Sequence, residues 1–249
     1  MIDLHCHILP GLDDGPKTVK ESIAMAEEAV RQGITHILCT PHHNQRFTNE
    51  KADVLLAVED LQKELDRQSI PLTLFEGQEV RIKRNLIDEI KSDKILFADV
   101  TDRYLLAELP TNSIPEYTES LFYELRQMGI VPIIVHPERN RGFQESPNLL
   151  LPYLNMGCLA QLTAPSIAGV YGKQIKKLSE QLIEHNLVQM IASDAHSRKN
   201  RDFYMEKAYK IVEKKYGKEV INKMDQTCRD IINGTFTKAE NYKYIRGMI

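Results

Sequence analysis

The sequence predicts an α/β fold, a TIM-like barrel of seven parallel strands and intervening helices, (β/α)7, in a single domain over residues 1–249. Seven short apolar runs alternate with amphipathic stretches of helical period, which is typical of parallel strands joined by crossover helices. A length of 249 residues suits one such barrel. Histidines and carboxylates follow six of the seven runs, and the carboxyl ends of parallel barrel strands share one face.

The strands are predicted from short runs rich in Ile, Val, Leu and Thr, which favour extended, buried backbone. They lie at Ile2–Cys6, Thr35–Thr40, Leu72–Gln78, Arg103–Glu108, Val131–His136, Cys158–Thr163 and Val188–Ser193. Seven such units in one domain favour a closed barrel over an open sheet, with right-handed crossovers between strands.

The helices are predicted from the amphipathic stretches between these runs. The first, Thr18–Gln32, ends at Gly33, a residue that commonly follows a helix C-terminus. Its predicted apolar face comprises Val19, Ile23, Ala26 and Val30. The later stretches are Glu50–Arg67, Asn85–Ser92, Pro115–Met128, Pro147–Met156, Gly172–His185, Arg201–Tyr216 and Glu219–Asn233. We expect the polar segment after the last stretch to be a solvated tail.

The overall composition argues against several classes of protein. Hydrophobic residues make up 42% and charged residues 27%, as in a globular protein with a real core. A net charge of -3 without a basic stripe argues against nucleic acid as a partner. The sequence has neither a long apolar run nor a signal-peptide pattern, so we expect no membrane insertion. Four scattered cysteines predict free thiols in a reducing, cytoplasmic location.

Potential metal ligands stand at the ends of six predicted strands. They are His5 and His7 at strand one, His42 after strand two, Glu79 after strand three, Glu108 at the end of strand four, His136 at the end of strand five, and Asp194 and His196 after strand seven. Alternate side chains of a strand share a face, so His5 and His7 can bind one ion while Cys6 points away. Imidazole and carboxylate ligands without thiolate suit Mn, Fe or Zn.

The number of ligands predicts two or three ions, because up to nine side chains, including an Asp near strand one, are too many for a single ion. Four carboxylates and three divalent ions would leave a charge of about +2, which attracts a phosphate dianion. Paired ions can generate hydroxide at neutral pH and stabilise both oxygens of an in-line displacement. Arg139 and Arg201, close after His136 and His196, are candidate phosphate ligands, with surface salt bridges as the alternative.

Four motifs together resemble those of the polymerase and histidinol phosphatase (PHP) superfamily. They are Asp-x-His-x-His at the N-terminus, Thr-Pro-His-His, His-Pro-Glu-Arg and Ser-Asp-Ala-His. More narrowly, the first fifteen residues, Met-Ile-Asp-Leu-His-Cys-His-Ile-Leu-Pro-Gly-Leu-Asp-Asp-Gly, resemble the manganese-dependent protein-tyrosine phosphatases of bacterial capsule and exopolysaccharide operons, the CpsB/CapC type. The similarity runs from Met1 to about Ala208. It implies a distorted seven-stranded barrel.

The resemblance also implies a trinuclear site, with Mn²⁺ as the expected cofactor and Fe or Zn as alternatives. One ion would take His5, His7, Glu79 and Asp194; a second would share Glu79 and add Glu108 and His136; a third would take Asp14, His42 and His196. Asp13, adjacent to Asp14, stays open as the ligand in its place. Arg139 and Arg201 would be the catalytic residues that hold the phosphate.

The activity that the resemblance implies is hydrolysis of phosphotyrosine on a protein. The expected partner is the C-terminal tail of a cognate bacterial tyrosine kinase that regulates polysaccharide export. The leaving phenolate has a pKa of about 10, which lessens the need for a strong general acid. A homo-oligomer is compatible with the sequence.

Three other functions are weaker hypotheses. A small-molecule phosphoesterase, such as histidinol-phosphate phosphatase, shares the barrel and most ligands, but the narrow N-terminal match and Glu108 disfavour it. A cysteine phosphatase needs an arginine six positions after its nucleophile, and none of the four cysteines has one. A non-catalytic binding module would have eroded ligands, whereas this set is intact.

Overall fold

Strands and helices alternate along the chain in a computed structural model that describes residues 1–246. The strands are β1 (Ile2–Cys6), β2 (His36–Cys39), β3 (His42–His43), β4 (Thr73–Glu76), β5 (Glu79–Arg81), β6 (Tyr104–Glu108), β7 (Val131–Val135), β8 (Leu159–Thr163) and β9 (Met190–Ala192). The helices are α1 (Val19–Arg31), α2 (Lys51–Arg67), α3 (Leu86–Lys91), α4 (Thr118–Gln127), α5 (Arg141–Glu145), α6 (Leu150–Asn155), α7 (Ala164–Ala168), α8 (Lys173–Glu184), α9 (Met205–Tyr216) and α10 (Lys218–Ile232). Short 3₁₀ turns cover Pro137–Arg139 and Pro147–Leu149.

The strands form two parallel sheets, which confirms the predicted α/β class. One has the order β1-β2-β4 and the other the order β3-β5-β6-β7-β8-β9. The start of the chain also meets the segment that follows β9: the backbone N–H of His7 donates to Ala195 O at 2.9 Å, and that of Asp194 donates to His5 O at 2.8 Å. The carboxyl ends of strands from both sheets are thereby brought together.

The predicted second and third strands are present in shortened form as β2 and β4, and each is followed by a further short strand, β3 and β5, that the sequence did not predict. Pro41 separates β2 from β3, since proline has no N–H to donate to a ladder. Gly77 separates β4 from β5, and a Cβ on Gly77 would lie 3.0 Å from the Leu38 side chain. The chain therefore passes from the smaller sheet to the larger one at both breaks, and β3 and β5 carry His42 and Glu79.

Helix α1 begins where the sequence predicts, at a capping box. Thr18 is the N-cap, its hydroxyl accepts from the N–H of Glu21, and the Glu21 carboxylate accepts from the N–H of Thr18 in return. The predicted apolar face is only partly correct. Ile23 and Ala26 are buried, whereas Val19 in the first turn is 46% exposed.

The core fills both sides of the strands, because successive side chains point to opposite faces. Leu105 of β6 packs in a cluster with Phe122 of α4, while Leu106, one residue later, packs with Ile133 and with Ile231 of α10. Helix α10 contacts β1 and β9, and its apolar side chains cover this side of the sheet. The polar side chains collect at the carboxyl ends of the strands.

The described segment after α10 is mostly exposed but is attached to the rest of the protein at several points, so the prediction of a solvated tail is only partly correct. The Tyr104 hydroxyl donates to Thr235 O at 2.7 Å and accepts from the N–H of Thr237 at 2.9 Å. Ile245 is 2% exposed, and its backbone makes two hydrogen bonds with the Asn148 side chain. Within residues 1–246, no helix is long and apolar enough to cross a bilayer.

Candidate metal centre

Eight of the nine predicted ligands, all but His136, come together at the carboxyl ends of the strands in three adjoining groups. They are His5, His7, Glu79 and Asp194; His7, Asp14, His42 and His196; and His42, Glu79 and Glu108. Within each group, the potential ligand atoms all lie within 4.8 Å of one another. His7, His42 and Glu79 each belong to two groups, so the groups adjoin, and the two carboxylate oxygens of Glu79 can serve neighbouring ions.

The first group is buried, and its atoms converge on a common point. Nε2 of His5 lies 3.4 Å from Glu79 Oε2 and 3.5 Å from Asp194 Oδ1. Nε2 of His7 lies 3.3 Å and 3.4 Å from the same two oxygens. All four side chains are at most 2% exposed. Two imidazole nitrogens facing two carboxylate oxygens form an arrangement that one divalent cation can bind.

Unsatisfied polar atoms in the site fit the same interpretation. Among residues 1–246, four buried site atoms have no hydrogen-bond partner: His42 Nδ1, Glu79 Oε2, Asp194 Oδ1 and His196 Nε2. His42 Nδ1 and Glu79 Oε2 lie only 2.8 Å apart, yet they form no hydrogen bond. A buried polar atom without a partner is destabilising, and coordination to metal ions would satisfy all four atoms.

Two residues outside the groups orient the histidines of strand one. Asp13 Oδ2 lies 2.6 Å from His7 Nδ1, and Gln161 Oε1 lies 3.0 Å from His5 Nδ1. Each contact leaves Nε2 free to face a metal, as in other carboxylate–histidine–metal arrangements. Asp14, rather than Asp13, therefore lies among the potential ligands. Sequence reasoning missed Gln161, although a lone amide in the buried strand β8 is a signal for it.

The second predicted ion site is only partly assembled. His136 Nε2 lies 2.7 Å from Glu79 Oε1, as expected. Glu108, however, groups with His42 and Glu79 rather than with His136, and the Arg81 guanidinium binds it through two contacts of 2.7 and 2.8 Å. Burial, and then the charge of Glu79, raises the pKa of Glu108 to about 7. A cation between these carboxylates would relieve that repulsion.

Proton affinities differ sharply among the histidines. Burial, followed by the charge of Arg139, lowers the pKa of His136 to about 4. Burial and the charge of His7 lower the pKa of His196 to about 4 as well. Burial also disfavours the charged form of His7, but the Asp13 carboxylate outweighs it and raises the pKa of His7 well above its usual value. His136 and His196 are therefore neutral near pH 7, the form that binds metal.

Two arginines lie beside the first group. Arg201 Nη2 contacts Asp194 Oδ2 at 2.8 Å, and Arg139 Nη1 contacts the same oxygen. Arg201 also lies 3.4 Å from Asp14. The Arg139 and Arg201 side chains are 30% and 29% exposed, so each remains partly accessible to a ligand. The salt bridges considered as an alternative do exist, but they join the arginines to a site carboxylate.

Strained backbone places two of the site residues. His136 has φ +38° and Asp194 has φ +53°, values that non-glycine residues adopt rarely, although histidine and aspartate adopt them more readily than most. The turn after His136 is held by Glu138, which is fully buried. Its Oε1 accepts from the N–H of Thr163 at 3.0 Å and from the Ser166 hydroxyl at 2.8 Å. This contact fixes the 3₁₀ turn that carries Arg139.

His43 and the cysteines have structural surroundings. His43 Nδ1 contacts Asn49 O at 2.7 Å, and its Nε2 contacts Glu89 at 3.1 Å. All four cysteines are free and buried, and burial raises the pKa of the Cys158 thiol to about 12. The nucleophilic thiolate is therefore scarce at neutral pH.

Alkylation of the native protein with iodoacetamide is expected to leave at least about 90% of the hydrolytic activity, because buried thiols of raised pKa react slowly. Activity before and after treatment, together with mass spectrometry of the modified sites, checks this. Inactivation in proportion to modification of Cys6 would show that a cysteine takes part.

The parallel α/β framework and its histidine–carboxylate groups define a metal-dependent hydrolase. The chain belongs to the CpsB/CapC family of capsular polysaccharide synthesis, whose family model matches residues 1–232. The resemblance found in the sequence is thus confirmed.

Relatives of this chain are tyrosine phosphatases by name. It is 44% identical over 221 residues to the tyrosine-protein phosphatase YwqE of Bacillus subtilis, covering 88% of this chain and 87% of that one. It is 30% identical to the tyrosine-protein phosphatase CpsB of Streptococcus pneumoniae, covering 87% and 91%. A solved structure from a study of these two metal-dependent tyrosine phosphatases matches with a TM-score of 0.95 at 39% identity, covering 99% of this chain and all of that one.

Proposed function

We propose that this protein is a metal-dependent protein-tyrosine phosphatase that hydrolyses phosphotyrosine on a protein substrate. The observation that carries the proposal is the set of three adjoining ligand groups, with unsatisfied ligand atoms, beside Arg139 and Arg201. Membership of the CpsB/CapC family and the names of its relatives support the same activity.

Three divalent ions, with Mn²⁺ as the physiological metal, fit this donor set of imidazole and carboxylate; the set also suits Fe and Zn. The proposed ligands are His5, His7, Glu79 and Asp194 for the first ion; Glu79, Glu108 and His136 for the second; and Asp14, His42 and His196 for the third. The second assignment requires Glu108 to exchange its contact with Arg81 for a metal.

The reaction consumes one water and yields inorganic phosphate and the dephosphorylated tyrosyl residue of the protein substrate. When bound, the ions supply hydroxide at neutral pH and charge that stabilises the developing negative oxygens. Arg139 and Arg201 bind the phosphoryl oxygens and orient phosphorus for attack. The bond from phosphorus to the tyrosyl oxygen breaks, and the phenolate, whose conjugate acid has a pKa of about 10, leaves and takes a proton from water.

The setting of this activity is also part of the proposal. The contacts of His5 and His7 with the segment after β9 support one distorted seven-stranded barrel, and we propose that residues 1–249 form a single domain. Because the family is one of capsular polysaccharide synthesis, we propose the C-terminal tail of a cognate bacterial tyrosine kinase as the substrate. The proposed location of the reaction is the cytoplasm. A homo-oligomer is compatible with this role.

The deciding experiment measures phosphate release from a phosphotyrosyl peptide and from histidinol phosphate, in EDTA and after Mn²⁺ is added back. We expect activity on the peptide that EDTA abolishes and Mn²⁺ restores. Activity on histidinol phosphate alone would preserve the metal site and overturn the substrate in favour of a small-molecule phosphoesterase.

Replacing Arg139 with alanine is expected to raise the inhibition constant of inorganic phosphate by about 10- to 100-fold, since a hydrogen bond to a charged group contributes about 1.5–3 kcal/mol. Manganese content should stay near that of the wild type. Arg141→Ala is the matched control, because Arg141 is exposed and pairs with Glu145 at 2.8 Å. An unchanged inhibition constant in Arg139→Ala would remove this residue from the phosphate site.

A further inference from the structure

Two aromatic side chains, Phe47 and Tyr171, stand at the rim of the metal centre on different loops. Phe47 follows β3 and lies beside His42, whereas Tyr171 lies between α7 and α8 beside Arg139. Both are half-buried, so part of each ring faces solvent. Neither belongs to the ligand groups or to the sequence motifs that predict the site.

A compact turn fixes the position of Phe47. The Asn44 side chain accepts from the N–H groups of Arg46 and Phe47 at 2.9 and 3.0 Å, and the Asn44 N–H donates to Phe47 O at 2.8 Å. The phenyl ring lies nearly parallel to the His42 imidazole, at an angle of 10° with ring centroids 6.1 Å apart. The Arg46 guanidinium lies 4.9 Å from the ring centroid.

Tyr171 lies between two glycines with left-handed backbone, Gly169 (φ +82°) and Gly172 (φ +96°). Its ring centroid is 5.5 Å from Arg139 Cζ, within the range of a cation–π contact. Burial raises the pKa of its hydroxyl, so the side chain is a neutral phenol at physiological pH. The ring therefore lies next to one of the two proposed phosphate-binding arginines.

The two rings lie at opposite ends of one series of contacts across the site. Tyr171 contacts Arg139, which binds Asp194. Asp194 Oδ1 lies 3.4 Å from His7 Nε2, the His7 and His42 rings have centroids 4.5 Å apart, and His42 lies against Phe47. A phosphoryl group held by the arginines over these residues would direct its ester substituent toward this rim, where Tyr171 lies on the Arg139 side and Phe47 on the His42 side.

We propose that Phe47 and Tyr171 bind the ring of an aryl phosphate ester and set the preference of the site for aryl over alkyl phosphates. This inference rests on the proposed function and names the determinant of its substrate class. Aromatic rings attract one another in offset or edge-on arrangements at centroid separations of about 4.5–7 Å. An alkyl phosphate offers no such ring.

The test compares two non-hydrolysable anions, phenylphosphonate and methylphosphonate, which differ in the ring. Their binding to the manganese-loaded full-length protein is measured by calorimetry. We expect wild type to bind phenylphosphonate more tightly, and Phe47→Leu and Tyr171→Leu each to reduce that preference by about 3- to 10-fold, the range for one aromatic pair. The conservative Tyr171→Phe should keep the preference, because the proposal depends on the ring.

The matched controls are Phe236→Leu, after α10, and Tyr123→Leu, on α4. These two aromatic side chains are 57% and 58% exposed, respectively. Equal weakening of both phosphonates in the rim variants, or an unchanged preference, would overturn the inference. If the wild type hydrolyses the phosphotyrosyl peptide but the Phe47 and Tyr171 variants keep the preference for phenylphosphonate, this inference is overturned and the proposed function stands. If the variants lose the preference but the wild type does not hydrolyse the phosphotyrosyl peptide, the aryl-binding site is supported and the proposed phosphatase activity is refuted.

Discussion

Asp194→Ala is expected to lower phosphotyrosine hydrolysis by at least about 10³-fold, the equivalent of about 4 kcal/mol in the barrier. The carboxylate faces His5 and His7 with one oxygen and binds Arg139 and Arg201 with the other, so its loss affects both metal and phosphate. The fold should persist, because the backbone hydrogen bond to His5 O does not involve the side chain. Turnover, manganese content and circular dichroism provide the measurements.

Two further variants separate the causes. Asp194→Asn keeps the size of the side chain and tolerates the left-handed backbone at this position, so it isolates the loss of charge. Asp102→Ala is the matched control, because Asp102 also has a left-handed backbone (φ +54°) but is exposed, before β6. Wild-type turnover by an Asp194→Ala protein that lacks metal would refute the metal assignment.

Removing the metal is expected to lower the melting temperature of the wild-type protein by about 8–16 °C. An ion present at a thousand times its dissociation constant stabilises the fold by about 4 kcal/mol, and about 1 kcal/mol shifts the melting temperature of a chain of this size by about 2–4 °C. The buried Glu79 and the neighbouring Glu108 repel each other when no cation lies between them. Calorimetry with EDTA and with excess Mn²⁺ measures the shift.

The same scan on Asp194→Ala serves as the control. With a ligand of the first ion missing, its melting temperature should change less between EDTA and Mn²⁺ than that of the wild type. Identical melting temperatures of the wild type in both conditions would mean that the groups bind no metal tightly.

The periodic pattern of the sequence predicted the helix and strand order well, and its failures have local causes. The short strands β3 and β5 were missed because each lies just beyond a break in the strand before it. Pro41 has no N–H to donate at the first break, and Gly77 lies close to the Leu38 side chain at the second. Helices α5 and α7 were missed because five residues are too few to show a helical period. The tail packs through Ile245 and backbone hydrogen bonds, which polar composition does not reveal.

The site residues could be predicted where potential metal ligands lie at the ends of predicted strands. His5 and His7 could be placed because two-residue spacing puts both side chains on one face of a strand. Asp13 and Asp14 could not be separated, since the turn that contains them decides which one faces His7 and which one faces the opening. Gln161 and Arg81 act through contacts between distant segments. A lone amide in a buried strand marks Gln161 as unusual, but a single sequence does not reveal that it contacts His5 or that Arg81 contacts Glu108.

The junction of β1 with the segment after β9 has a consequence for how the enzyme is made. His5 and His7 leave the ribosome first, but Asp194 and His196, which share their ligand groups, emerge only after most of the chain has been synthesised. Until then the early histidines have only part of their coordination sphere. The complete first ligand group can therefore form only after the segment that follows β9 has been synthesised and has paired with β1.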